Sequence, residues 1–241
     1  MILKAGTASG ARVAGGAGAV DARGGRVCDT ARTFPLTSPV KAYYAVARYG
    51  LHAYRRPGAA AFATFDRLNV NRVRTVFGIV GVRVRENCRP AWYRVQLPLR
   101  PNGVTGFVRA SSVTVGVRRV RVLVDLSERR LTLYRNARPV LRIRVAIGSP
   151  ATPTPTGRFY VNQRLRAADP TGPFGPGGIG ISAFSEVLTD WMQGGPIAIH
   201  GTNRPWLIGK AVSAGCVRVR NGVLRRLWRL VPEGTPVAIR A

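Results

Sequence analysis

The chain has 241 residues, 46% of them hydrophobic, and a formal net charge of +28 from 38 Lys and Arg against 10 Asp and Glu. That length suffices for one or two ordinary domains with real cores, and no segment is apolar enough to span a membrane. The acids are scattered without a carboxylate pair, which sets glycosidase chemistry aside. No His, Cys and acid cluster has zinc-ligand spacing, so no metal and no cofactor are expected. A charge this high implies polyanionic surroundings, although a GC-rich codon bias would raise Arg together with Ala, Gly, Val and Pro. With no zinc-finger spacing, RNP-type aromatic motif or basic recognition helix, no specific nucleic-acid partner is expected.

Residues 1–40 are rich in Gly, Ala and Arg with little periodicity and read as a flexible lead segment. They contain no apolar core of the signal-peptide type, so the route of any export is not legible there. Residues 41–116 are short β runs broken by turn residues. Tyr54 to Gly58 is a turn, Thr75–Val80 and Gly81–Val84 are strand-like, and Trp92–Leu97 alternates with period two. Pro101-Asn102-Gly103 marks a hairpin turn before Gly106–Arg109. His52 reads as a surface or packing histidine. Cys28 and Cys88 are free to pair in an oxidising compartment, but their spacing does not decide it.

Residues 117–241 are also mainly β, with strands expected near 120–126, 131–135, 139–147, 158–163, 196–200, 216–220 and 235–240. The Pro/Gly-rich run from Asp169 to Gly180 is expected to be irregular and to shape a cleft wall. Ser185 to Gln193 is a weaker helix candidate. Asn221 is placed as the cap of a helix whose apolar stripe is Val223, Leu224, Leu227, Leu230 and Val231, bordered by Trp228.

Two segments of this region carry chemistry, Ile197-Ala198-Ile199-His200-Gly201-Thr202-Asn203 and Ser213-Ala214-Gly215-Cys216-Val217-Arg218. The chain has only two histidines and three cysteines, so one of each in this setting stands out. A thiolate that attacks and an imidazole that takes its proton are the minimum equipment for nucleophilic acyl transfer, and a nearby imidazolium would raise the thiolate fraction. Gly215 lets the backbone approach a substrate, and the N–H groups beside Cys216 are placed for an oxyanion hole. His200 ends an apolar strand-like run and needs an orienter. No acid is close in sequence, so a backbone carbonyl is expected, with Gly201 the local candidate.

The paired motifs His200-Gly201-Thr202 and Ser213-x-Gly215-Cys216-Val217-Arg218 resemble the signature of the L,D-transpeptidase catalytic domain. Val122–Ser127 with Leu131–Tyr134, Val145–Gly148, Thr154–Phe159, Ile181–Phe184 and Gly234–Val237 resemble the same family in the same order. The stretch Trp92–Val95 with Gly106–Val113 resembles the end of a bacterial SH3-type domain. The resemblance implies a mainly β chain, a small SH3-like β barrel at 41–116 followed by a β-sandwich catalytic domain at 117–241 with one or two short helices. It implies Cys216 as nucleophile, His200 as base, the Gly201 carbonyl as orienter, and the N–H groups of Ala214, Gly215 and Cys216 as the oxyanion site. It places Arg218 where it holds the loop or meets a substrate carboxylate. Ser213 and Thr202 are candidates for bracing the site or touching substrate. Ala214 stands where the family often has a second histidine, so any contact made by that ring is lost.

The implied reaction is a 3→3 peptidoglycan cross-link through a Cys216 acyl-enzyme with release of D-alanine. The implied partners are peptidoglycan stem peptides, an anionic cell wall and carbapenem-type β-lactams that acylate Cys216. The chain is expected to act as a monomer at an extracytoplasmic, cell-wall or cell-surface location. Alternatives are an L,D-carboxypeptidase, a protein-to-wall anchoring acyltransferase and a non-catalytic wall-binding protein. The SH3-like region is either a spacer or a binder of wall peptides.

Overall fold

A computed structural model describes residues 28–241 and, before them, only the backbone of two short paired strands, β1 (Ala19–Val20) and β2 (Arg26–Val27). Most of the expected flexible lead therefore lies outside the described residues. Its described end, residues 28–40, is tied down. Cys28 forms a disulfide with Cys88, their Cα atoms 5.2 Å apart, and β3 (Phe34–Pro35) pairs with Val82 and Gly81.

β3 belongs to an eight-stranded sheet with β4 (Ala42–Ala47), β5 (Leu51–Tyr54), β6 (Ala61–Phe65), β7 (Val76–Val84), β8 (Pro90–Gln96), β9 (Thr105–Arg109) and β10 (Val113–Arg118). The spatial order is β10-β4-β7-β8-β9-β5-β6, with β3 against β7. Every pairing in it is antiparallel. The two strand-like runs at 75–84 are one strand, β7. It reads as a near-continuous apolar run because it is buried on both faces, between a core of Phe77, Ile79, Val82, Val95 and Val108 and the ring of Tyr160 from the second sheet.

The second sheet uses β11 (Val120–Asp125), β12 (Arg130–Arg135) and β13 (Arg138–Arg144). After them come the short β14 (Ile147–Gly148), β15 (Gly157–Arg166), β16 (Gly177–Phe184) and β17 (Pro196–His200). The chain closes with β18 (Ala211–Ser213), β19 (Val217–Arg218), α1 (Asn221–Leu230) and β20 (Pro236–Arg240). The order is β13-β12-β11-β20-β15-β16-β17-β19, with β14 and β18 paired separately. β15 belongs to both halves: Gly157–Tyr160 pairs with β20 and Val161–Arg166 with β16. At the changeover the Tyr160 N–H donates to Ser182 Oγ at 3.1 Å. The sheet thus folds about β15 into a sandwich. Val122, Val124, Leu131, Leu133, Val237 and Ile239 from one half meet Ile179, Ile181, Ile197, Ile199 and Val217 from the other. Leu224 and Leu227 bury the apolar stripe of α1, leaving Arg225, Arg226 and Arg229 outward.

Several local expectations need correction. Ser185–Gln193 is not a helix. Only Met192–Gly194 forms a 3₁₀ turn, and Gln193, Gly194 and Gly195 all take positive φ. The Ser185 hydroxyl accepts from the Val187 and Leu188 N–H groups, which competes with helix formation. The irregular Pro/Gly run ends earlier than its composition suggests, because Gly177–Gly180 already pair within β16. Asn221 is the first helical residue rather than the cap, and no side chain caps the N-terminus. The run expected near 139–147 breaks at Val145–Ala146, where Ala146 bridges to Arg218 before β14 pairs with β18.

The two sheets meet along a broad seam. Arg118 lies over the Tyr44 ring at 3.9 Å and donates to Glu233 O at 2.8 Å. Asn102 brackets the end of β16, donating to Phe184 O at 2.8 Å and accepting from Phe184 N–H at 2.9 Å. Arg100 donates to Ser185 O at 2.7 Å and Gly194 O at 2.5 Å. The 97–103 hairpin of the first region therefore holds both ends of the 184–195 strap of the second.

Candidate active site

The register of three strands builds a trough. Gln163 of β15 lies opposite Gly180 of β16, which lies opposite Ala198 of β17. In the next row Leu165 lies opposite Gly178, and Gly178 opposite His200. Residues two apart share a face, so these six face one way while Ile179, Ile181, Ile197 and Ile199 face the core. Glycine and alanine leave the middle of the floor bare, and the result is a cavity of about 610 Å³. His200, Cys216, Ala214 and Arg218 line it. Phe174, Trp191 and Met192 form its rim from the two flanking loops. The edge of the Phe174 ring meets His200 with centroids 5.0 Å apart.

His200 is 3% exposed at the end of β17. Its Nδ1 donates to Gly201 O at 2.6 Å. The carbonyl accepts only, so the proton sits on Nδ1 and Nε2 is left as the acceptor. Burial pushes the imidazole down to about 4, against the Gly201 carbonyl and with the help of the Arg218 charge. Burial also pushes the Cys216 thiol up, against the Ala198 N–H and the Arg218 charge. Both shifts point toward a neutral thiol beside a neutral imidazole. Of the two arrangements expected, proton transfer and a standing ion pair, burial favours the first, because desolvation disfavours both charges.

The loop before Cys216 is braced from within. The Ser213 hydroxyl donates to Cys216 O at 2.5 Å and accepts from Gly215 N–H at 3.2 Å. Ser213 O in turn accepts from Ser149 N–H and from the Thr152 hydroxyl, both at 2.9 Å. Gly215 has φ +105°, and a Cβ there would meet Ile197 Cδ1 at 3.0 Å, so only glycine suits the turn. Its N–H is spent on Ser213, whereas those of Ala214 and Cys216 make no hydrogen bond among the described residues.

Arg218 sits beside His200 in the β17–β19 pairing, and its Nε is buried without a hydrogen-bond partner. Thr202 and Gly201 do not line the cavity. Thr202 N–H donates to Asn221 Oδ1 at 2.8 Å and its hydroxyl accepts from Arg204 N–H. Thr202 thus ties the turn after His200 to the start of α1. The sequence reading did not find Gln163, Gly178, Gly180 or Asn71 on the cavity wall. The alternation Gly178-Ile179-Gly180-Ile181, small residues outward and large inward, was the available signal for the floor. For Asn71 there was none, since its place depends on the packing of the two sheets.

A family model described as YkuD, L,D-transpeptidase catalytic domain, matches residues 119–239. A protein of Bacillus subtilis (strain 168) named "Putative L,D-transpeptidase YkuD" is 41% identical over 118 residues, which is 49% of this chain and 64% of that protein. A Bacillus licheniformis protein of the same name is 40% identical over 119 residues, again 64% of its length. The match thus spans just under two-thirds of these curated relatives. Among solved structures, the catalytic domain of the Enterococcus faecium L,D-transpeptidase is 24% identical, with a TM-score of 0.37, over 50% of this chain and 96% of that one.

Proposed function

Because this chain belongs to the YkuD family of L,D-transpeptidase catalytic domains, we propose that it is a cysteine-dependent acyltransferase that forms 3→3 cross-links between peptidoglycan stems. One observation carries the reading. Cys216 and His200 share the wall of one cavity, with the Gly201 carbonyl holding the histidine in the tautomer that leaves Nε2 free.

In the first half-reaction Cys216 Sγ attacks the carbonyl of the third stem residue, a diamino acid, as its proton passes to His200 Nε2. The Ala214 and Cys216 N–H groups receive the oxyanion. Collapse breaks the bond to the terminal D-alanine, whose amine takes the proton from His200, and leaves a thioester. In the second half-reaction the side-chain amine of a neighbouring stem attacks the thioester, His200 takes its proton, and collapse returns that proton to Cys216 Sγ. No cofactor is required. The orphaned Nε–H of Arg218 offers a charged donor to a substrate carboxylate. As the nucleophile on the cavity wall, Cys216 is also the atom that a carbapenem would acylate.

Residues 41–116 are read as an SH3-like module on the antiparallel meander β7-β8-β9 and its 97–103 hairpin. An extracytoplasmic location is supported by the Cys28–Cys88 disulfide, and an anionic wall polymer suits a net charge of +28. The test is intact-protein mass spectrometry after mixing with a tetrapeptide-stem disaccharide, with Cys216→Ala as control. The expected result is a thioester on wild type only, released D-alanine and a cross-linked dimer. An adduct that decays solely to tripeptide makes the protein a carboxypeptidase. No adduct on folded protein makes it a wall-binding protein.

A further inference from the structure

Two strands from His200 in the trough stands an amide whose orientation is set from outside the second sheet. Asn69, in the turn after β6, accepts through Oδ1 from the N–H groups of Asn71 at 2.9 Å and Val73 at 3.3 Å. Its Nδ2 is therefore the donor end, and it donates to Gln163 Oε1 at 2.9 Å. Asn71 Nδ2 donates to the same oxygen at 2.9 Å, while Asn71 Oδ1 accepts from Gln193 Nε2 at 3.2 Å. Gln163 cannot flip without setting N–H groups against N–H groups, so its Nε2 must be the end not held by the turn.

Gln163 is 9% exposed and lines the cavity. Its Nε2 makes no hydrogen bond among the described residues and, unlike the Arg218 Nε, is not sealed from solvent, so this donor is open to a partner in the cavity. The bare Gly180 lets the Gln163 side chain lie over the floor, where a Cβ would meet its Cγ at 2.7 Å. A Cβ at Gly180 would lie 3.2 Å from Nε2. Strands are spaced about 4.8 Å apart and two residues along a strand span about 6.7 Å, so Gln163 stands roughly 12 Å from His200, the reach of between three and four extended residues. An amide donor is neutral, so it matches a peptide carbonyl without demanding a charge.

We propose that Gln163 Nε2, steered by Asn69 and Asn71, is a peptide-binding subsite of the cleft that takes a backbone carbonyl oxygen of the stem about three to four residues from the bond broken. The proposal rests on the reading of this cleft as a stem-peptide site. It makes the first β region part of the binding site, a role beyond spacer or separate wall binder.

The test uses the full chain carrying Cys216→Ala, with and without Gln163→Glu, and measures binding of a tetrapeptide-stem disaccharide by calorimetry. Glutamate keeps an oxygen for Asn69 and Asn71 and removes the free donor. Affinity is expected to fall about tenfold. Asn69→Asp, which still accepts from Asn71 and Val73 but no longer donates to Gln163, is expected to shift binding the same way. In chains retaining Cys216, both substitutions should raise KM, hold kcat, and leave the rate of Cys216 alkylation by iodoacetamide unchanged. Should the glutamate variant not fold, Gln163→Met removes the same donor without adding a charge, though it also gives up the oxygen that Asn69 and Asn71 hold. Equal affinity with and without the substitution overturns the subsite even if wild type releases D-alanine. Binding that depends on Gln163 without D-alanine release keeps the subsite and overturns the transpeptidase. No stem binding by the parent overturns both.

Discussion

His200 and Cys216 owe their protonation states to burial rather than to each other. The imidazole, held to about 4, is a neutral acceptor at physiological pH. An imidazole held there is available as a base well below the ordinary 6.5 and is lost only as pH falls through about 4. The acid limb of kcat/KM is thus expected near 4, and a limb near 6.5 would show the imidazole to be solvated. On the alkaline side the raised thiol predicts that iodoacetamide labels Cys216 more slowly than a free thiol at pH 7, with the rate still climbing above pH 9. His200→Ala is expected to lower turnover by roughly 10²–10⁴, measured as D-alanine release. Both residues were legible in the sequence because their neighbours are diagnostic at short range. Their charge states were not, because desolvation depends on Phe174 and the strap, which come from elsewhere in the chain.

Strand content was readable from period-two alternation at Trp92–Leu97 and from the apolar run at Ile197–Ile199. Element boundaries were misread where a side chain does something nonlocal. Asn221 looks like a cap by type, yet its Oδ1 accepts from Thr202 N–H and pins the turn after His200. Asn221→Ala is accordingly expected to destabilise the fold by about 1–2 kcal/mol and to lower kcat as the His200 turn loosens, checked by urea unfolding and steady-state assay. A loss of stability without loss of kcat would confine Asn221 to a structural role. Asp125 at the end of β11 makes a second such tie, accepting from Ser127, Glu128 N–H and Arg240. These donors hold its carboxyl at about 2. A lowered folded value gives stability present above the ordinary 3.8 and lost as pH falls through 2, so Asp125→Asn should flatten the decline of the thermal midpoint between pH 4 and 2.

At the scale of the whole molecule, the first region holds the second. Arg100 and Asn102 grip the 184–195 strap, and Asn69 and Asn71 reach the cleft floor. The Cys28–Cys88 disulfide closes a loop with a sequence separation of 60 residues, which the chain-entropy account values at about 4 kcal/mol. Reduction is expected to lower the thermal midpoint while leaving Cys216 labelling unchanged below the new transition, as read by calorimetry and mass spectrometry. A coincident loss of both would tie the disulfide directly to the cleft.

The sequence by itself determined the family and marked the candidate site. The residues around His200 and Cys216, the Gly215 turn and the β alternation are local patterns, and local patterns survive without coordinates. The tertiary structure alone decided which N–H groups beside Cys216 lack a partner among the described residues, that burial disfavours charge on both thiol and imidazole, and that Gln163 turns its donor to the cleft under the hand of Asn69. Each of these depends on residues brought together from distant parts of the chain, and hydrogen-bond allocation and desolvation are properties of that packing.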